Sequence, residues 1–175
     1  EGNIAIDNGK IIGIGNYEAK EKVDLNGAYV APGLIDAHMH MESTMVTPDQ
    51  MARIIVPRGT TTVVADPHEI ANVLGLDGIQ FMMNATENTV LNGFFMLPSC
   101  VPSTDFETSG AILDAKKLST LFDHPKVLGL GELMNYPGVI AGDIDMLEKM
   151  NMAQSKIIDG DGPERLKGIH AAVDR

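Results

Sequence analysis

His38-Met39-His40 closes the apolar run Leu34-Ile35-Asp36-Ala37. On a β-strand side chains alternate faces with a period of two, so His38 and His40 point the same way while Ile35, Ala37 and Met39 point the other. Two imidazoles on one face can grip one cation, and neutral imidazole is a ligand for zinc, iron and manganese. A metal held there brings the pKa of water toward neutrality and yields hydroxide as a nucleophile. A bare His-x-His also fits an ordinary histidine pair that binds nothing, because so short a motif recurs by chance. Pro32-Gly33 at the head of the run gives it the form of a strand buried on both faces, which favours the metal reading.

Glu132 ends the run Val127-Leu128-Gly129-Leu130-Gly131, and alternation places it on the face of Leu128 and Leu130. A carboxylate at the tip of an apolar strand is either hydrated or paired with a cation. Beside His38 and His40 it could bridge two metals, as carboxylates do in two-metal hydrolases. In Asp66-Pro67-His68-Glu69 the proline holds Asp66 extended and fixes the end of another strand, so that His68 and Glu69 open the next loop. Asp66 or Glu69 could cap the following helix. His68 could be a metal ligand, a hydrogen-bond partner of substrate or a proton carrier near neutral pH.

The remaining residues of this kind carry less. Glu42 lies two positions beyond the histidine pair, where it could support a ligand, and Ser43-Thr44 reads as a turn. Cys100 lacks the basic neighbours of a thiolate nucleophile and reads as structural or pocket lining. His124 before Pro125 reads as an exposed turn, and His170 has no assigned element. Neither Gly13-Ile14-Gly15 nor Gly129-Leu130-Gly131 continues into a dinucleotide fingerprint, and there is no P-loop lysine motif.

The elements that must position these residues fall into two styles. Over residues 3–31 the apolar patches Ile4-Ala5-Ile6, Ile11-Ile12-Gly13-Ile14 and Tyr29-Val30 are separated by Asn8-Gly9 and Asn26-Gly27, a hairpin signal that predicts a small antiparallel sheet. From Gly33 onward strands alternate with helices. Strands are predicted over 34–38, 61–66, 93–97, 127–132 and 156–159, and helices over 47–56, 70–84, 111–122 and 143–153, the first capped by Thr47 with Pro48 in its first turn. Such alternation implies parallel strands joined by right-handed crossovers. Polar residues at or just past the strand ends (His40, Asp66 to Glu69, Pro98-Ser99-Cys100 and Glu132) suit a (β/α)8 barrel, which assembles its site at that rim. A complete barrel takes about 250 residues. The predicted fold class is therefore α/β, a partial (β/α)8 TIM-type barrel comprising about the first half, over 33–175, preceded by part of a small β-sandwich over 1–32.

The chain has 175 residues, enough to bury one sizeable core, with the composition of a globular protein. Its 24 acidic and 13 basic residues give a formal charge of −11, which argues against nucleic acid or an anionic membrane surface as a partner. No apolar run approaches a bilayer span and no secretory leader opens the sequence, so a cytoplasmic location is expected, in keeping with a single cysteine.

Taken together, 31–40 (Ala-Pro-Gly-Leu-Ile-Asp-Ala-His-Met-His), His40-Met41-Glu42-Ser43, the stretch from Gly59 to Asn72, Leu97-Pro98-Ser99-Cys100-Val101-Pro102 and Gly131-Glu132-Leu133-Met134-Asn135 resemble the amidohydrolase superfamily of metal-dependent hydrolases, and within it the adenine-deaminating branch. The resemblance implies hydrolysis of adenine to hypoxanthine and ammonia by metal-activated hydroxide attacking C6 of the purine, with two divalent ions, manganese or iron, zinc being an option. It implies that His38 and His40 hold one metal and that Glu132 bridges to the second, with protons shuttled to the ring and the leaving amine by a side chain near the site; Asp66, His68 and Glu69 match the family motif and are the catalytic candidates. Adenine is the implied small-molecule partner.

After Ile157-Ile158-Asp159-Gly160 the family pattern calls for a histidine where this sequence has Asp161, and ligands expected from later strands are missing. The chain is accordingly read as a fragment, truncated or joined across missing residues, and of doubtful activity as it stands. A half-barrel exposes strand edges, so a homo-oligomeric partner or the remainder of the same polypeptide is expected to cover them. Two alternatives stay open: a cyclic amidohydrolase of the dihydroorotase or hydantoinase kind, which often uses a carboxylated lysine where Glu132 stands, and a metal-free half-barrel acting as a binding module.

Overall fold

The structure, a computed structural model, describes residues 2–104 and 106–160. Asp161 and His170 lie outside the described residues. The chain divides into two compact units, Glu1–Pro32 and a second beginning at Gly33. In the first, β1 (Ile4–Asp7) and β2 (Lys10–Ile14) pair antiparallel with Asp7 opposite Lys10. Asn8 and Gly9 between them have φ of 48° and 73°, the paired positive values that a tight hairpin turn requires. This is the small antiparallel sheet expected there. Asn26-Gly27 makes a turn of the same hand, closed by Ala28 N–H donating to the Leu25 carbonyl at 2.9 Å. The patch Tyr29-Val30 forms no strand, for it is followed at once by Ala31-Pro32, and proline has no N–H to give to a ladder.

The second unit contains β3 (Leu34–Met39), β4 (Thr60–Ala65), β5 (Asn92–Pro98), β6 (Val127–Gly131) and β7 (Ile157–Ile158). They form one parallel sheet in the order β3-β4-β5-β6-β7. A doubly wound sheet reverses its strand order at a switch point, whereas here each strand is laid beside the last, as a barrel is wound. The fold is α/β, about the first half of a (β/α)8 barrel with a small antiparallel sheet before it. The connections carry α1 (Pro48–Ile55), α2 (His68–Leu74), α3 (Leu76–Glu87), α4 (Ala115–Phe122), α5 (Tyr136–Ala141) and α6 (Ile144–Ala153). The core lies between sheet and helices, where Ile79 of α3, Leu118 of α4 and Met146 of α6 meet Phe95, Leu97 and Leu130 of the central strands. Among the described residues no helix is long and apolar enough to cross a membrane.

Four expectations are corrected. The first barrel strand is not buried on both faces, since Leu34 and Ile35 are 64% and 66% exposed. As the edge of the sheet, β3 is paired on one side only, to β4. The helix predicted over 70–84 is two helices, broken where Gly75 adopts φ 62°, ψ −138°, a conformation closed to residues with a Cβ. The first of them begins at His68 rather than Ile70, so that His68 and Glu69 stand on a helix instead of in a loop. The helix predicted from Ala111 starts at Ala115, because the Asp114 carboxylate accepts the Lys117 N–H at 2.8 Å and caps it. In addition α5 was not anticipated, although Asn135 as N-cap, Pro137 in the first turn and Gly142 after the last are helix signals.

Substituting Gly75→Ala forces a Cβ into that backbone conformation and to 3.2 Å from the Ala111 side chain. The expected loss is about 1–3 kcal/mol of stability, read as a lower urea midpoint, and an unchanged midpoint would mean that the break between α2 and α3 is not held by Gly75.

Candidate metal centre

Parallel strands all end on one rim of the sheet, and that rim gathers side chains from positions far apart in sequence. His38 is the penultimate residue of β3, and His40 and Asp66 lie just past β3 and β4. His68 opens α2 two residues later, and Glu132 follows the last residue of β6. His38 Nε2 and His40 Nε2 are 3.4 Å apart, so period-two alternation has brought both imidazoles to one side. Glu132 Oε1 is 2.6 Å from His38 Nε2 and 3.3 Å from His40 Nε2. The other oxygen, Oε2, faces His68 Nδ1 at 3.6 Å, and that nitrogen is 3.5 Å from Asp66 Oδ1. Ligand atoms of His38, His40 and Glu132 all lie within 4.8 Å of one another, as do those of Asp66, His68 and Glu132. Glu132 is common to both groups and offers a different oxygen to each.

Hydrogen bonding shows what this cluster lacks. His40 Nδ1 is 2.9 Å from the Asp66 carbonyl oxygen, which can only accept. A ring proton is thereby assigned to Nδ1, and Nε2 is the nitrogen that faces Glu132 Oε1. Both carboxylate oxygens of Asp66, a residue 1% exposed, are buried without a hydrogen-bond partner, and so is His68 Nδ1. Converging lone pairs and bare buried carboxylate oxygens are costly without protons or a cation to face. Imidazole nitrogens mixed with carboxylate oxygens are a donor set suited to a divalent transition metal, so these residues fit a metal ion. Interaction with the Asp66 carboxylate, opposed by burial and helped by the charges of Glu132 and Glu42, raises the pKa of His68 above its ordinary value.

The approach of Asp66 to Glu132 depends on Gly131, because a Cβ there would lie 2.3 Å from Asp66 Oδ2. Glu132 itself has φ of 24°, a left-handed value uncommon for a residue with a side chain, and β6 pairing stops before it. Alternation along β6 therefore does not set its direction.

The cap of α2 comes from neither Asp66 nor Glu69. Glu42 Oε1 reaches in from the turn after β3 to accept the Ile70 N–H at 3.1 Å. Burial raises the Glu42 carboxyl above its usual range, against the backbone N–H bonds that it accepts from its own residue and from Ile70. Glu69 is not drawn into the cluster, and its exposed carboxylate accepts the Ser43 hydroxyl at 2.5 Å. Cys100 is buried and receives the Asn135 N–H, and His124 Nδ1 accepts the Lys126 N–H in the turn before β6. Asp159, at the end of β7, was not anticipated, and its Oδ2 lies 3.5 Å from His38 Nδ1. Its signal was its place after Ile157-Ile158, the same strand-end position as Glu132.

Strands wound in sequence order, with histidines and carboxylates converging at their carboxyl ends, are the arrangement of a (β/α)-barrel with a candidate metal site on its rim. Residues 29–159 match the amidohydrolase family, and the chain belongs to it. Members of this family generally depend on bound metal. The chain is 56% identical to an adenine deaminase of Clostridium acetobutylicum over 93% of its own length and 29% of that protein's. It is 54% identical to adenine deaminase 2 of Carboxydothermus hydrogenoformans, over 93% and 28% of the two chains. With the adenine deaminase of Kosmotoga olearia the identity is 53%, over 92% and 29%. The chain thus spans less than a third of the length of these relatives, as the fragment reading expects.

The capping role of Glu42 can be separated from the cluster. Glu42→Ala should cost about 1 kcal/mol of stability, whereas Glu42→Gln, which keeps an acceptor for Ile70 N–H, should retain most of it. Urea midpoints read both, and equal midpoints for the two variants would remove Glu42 from the cap.

Proposed function

We propose that the polypeptide carrying this chain hydrolyses adenine with water to hypoxanthine and ammonia, in a purine salvage role. The observation that carries the reading is identity of 52–56% to proteins named adenine deaminase over 93% of the chain. In this reading residues 1–32 are part of a small β-sandwich domain and 33–175 the N-terminal half of the catalytic barrel. His38, His40 and Glu132 would hold a first divalent ion, and Glu132 would be shared with a second. Manganese or iron is the proposed metal, with zinc also compatible with nitrogen and oxygen donors. Bound metal supplies Lewis acidity and activates water for attack at the purine C6.

The chain's own residues supply proton handling. His68 stands between Asp66 and Glu132, its Nδ1 3.5 Å and 3.6 Å from their carboxylate oxygens, where the Asp66 carboxylate favours the protonated ring, and a proton carried there can be released to the purine ring or the departing amine. Asp66, bare and buried, faces that imidazole, and Glu69, exposed at the start of α2 and bonded to Ser43 outside the cluster, is the third member of the proposed catalytic motif. Small neutral purines suit a chain of net charge −11 better than nucleic acid or an anionic membrane does. A cytoplasmic location accords with the single free cysteine. Further copies of the chain or the remainder of the polypeptide cover the open edge of β3.

Ammonia release from adenine, measured beside ring opening of dihydroorotate and hydantoin, tests the reading, and turnover of the cyclic amides alone would replace it with a cyclic amidohydrolase. His68→Ala should lower turnover of adenine by about 10²–10⁴-fold, and near-normal activity would return His68 to a structural role. His38→Ala should reduce the metal retained after loading, as elemental analysis reads; no metal in either protein would favour a metal-free module.

A further inference from the structure

Leu97-Pro98-Ser99-Cys100-Val101-Pro102 has no part in the cluster, yet Ser99 is 1% exposed and reaches toward it. Its hydroxyl donates to the carbonyl oxygen of Glu132 at 2.6 Å, and its own N–H donates to the Gly131 carbonyl at 3.2 Å. Because the single Ser99 proton is committed to Glu132, the 3.1 Å contact with Cys100 Sγ runs from the thiol to the hydroxyl oxygen. Behind Ser99 stands Lys149 of α6, 3% exposed, whose ammonium donates to the Ser99 carbonyl at 2.8 Å and pairs with Asp145 Oδ2 at 2.6 Å. Asp145 is anchored in turn by its other oxygen, which accepts the Ala115 N–H at 3.1 Å in the first turn of α4.

A charged ammonium is expensive to bury, and one aimed at a single backbone carbonyl fixes that carbonyl firmly. Glu132 needs such support. Its φ of 24° is a sparsely populated conformation, which persists only where the surroundings over-determine it. Two donors converge on its carbonyl, Ser99 Oγ and the Met134 N–H, both at 2.6 Å. The same peptide group is held from its other end by Leu133 N–H donating to the Asp159 carbonyl at 3.0 Å, and the peptide before Glu132 is held by Ser99 N–H on the Gly131 carbonyl at 3.2 Å.

We propose that Ser99 and Lys149 are positioning residues for Glu132, fixing the backbone of the bridging carboxylate so that its two oxygens face the two ligand groups. Neither side chain touches metal or substrate. The inference rests on the metal reading above, and its test begins with manganese binding alone. In the full polypeptide, Ser99→Ala deletes one oxygen and leaves the Lys149 contact to the Ser99 carbonyl in place. It should weaken Mn²⁺ affinity by about 10–100-fold, the usual effect of removing a group that orients a ligand. The Mn²⁺ paramagnetic resonance line should broaden, and Ser99→Thr, which keeps the hydroxyl, should restore both readouts. Lys149→Met should act in the same direction, and the double variant should lose less than the product of the two single effects because Lys149, bonded to the Ser99 carbonyl, acts on Glu132 through Ser99. Unchanged affinity in a folded Ser99→Ala protein overturns the proposal, as does a Ser99→Ala protein that no longer folds, which would make Ser99 a core residue. A parent protein that takes up no Mn²⁺ overturns the metal reading and this inference with it.

Discussion

At the end of β6 a carboxylate almost withdrawn from solvent faces three imidazoles, and the geometry of the rim depends on that meeting. A buried acid is tolerated only when something compensates its charge. Glu132 divides the task, one oxygen toward His38 and His40 and the other toward His68. That division requires the carboxylate to stand between β3 and the start of α2, away from the line of its own strand. The left-handed turn at Glu132 puts it there, and the bonds from Ser99 and Met134 to its carbonyl keep it there. A flexible strand end would leave the same side chain hydrated and outside the cluster.

The sheet makes the meeting possible at low cost in side-chain reach. Five strands laid side by side place residues 38, 66 and 132 on one rim although they are nearly a hundred positions apart in sequence. Rigid central strands do the holding, since Phe95, Leu97 and Leu130 are buried under α3, α4 and α6. The outer strand is different. β3 and the residue just past it contribute the two histidines of the first group while the faces of β3 stay open, so their spacing is maintained by the ladder to β4 and by the bond from His40 to the Asp66 carbonyl. A histidine pair on an edge strand is positioned by its neighbour's backbone more than by packing beneath it.

Much of this was legible in the sequence wherever one local rule decides. Alternation alone brought His38 and His40 to one side, Asn8-Gly9 announced the hairpin, and strand-helix alternation announced the parallel sheet. What escaped depends on contacts between distant residues or on backbone angles that composition does not reveal. Gly75 could have been an ordinary helical glycine, and only its conformation shows that it ends α2. Burial of β3 was read from its apolar run, but apolarity states what a strand would bury, not what packs against it. The helix α5 has its signals in Asn135, Pro137 and Gly142, but it is only six residues long and follows directly on the strand-end motif that Asn135 closes. Ser99 and Lys149 are fifty positions apart, and no spacing rule joins them.

The unanticipated role of Glu42 explains why Asp66 is free. An acid beside a helix start ordinarily spends its oxygens on backbone N–H groups, and such bonds hold a carboxylate ionised and stationary. Here the Ile70 N–H is taken by Glu42, which crosses from the turn after β3 to do so. Glu69 is occupied by Ser43. Asp66 is left with two buried oxygens and no donor but the nearby His68, and Gly131, lacking a Cβ, lets it come close to the other acid. The bare Asp66 carboxylate beside this imidazole raises the His68 pKa above its ordinary value, against burial and with a smaller contribution from Glu132. Capping by Glu42 and the absence of a side chain at Gly131 thus convert a helix-start acid into one that must answer to a proton or a cation.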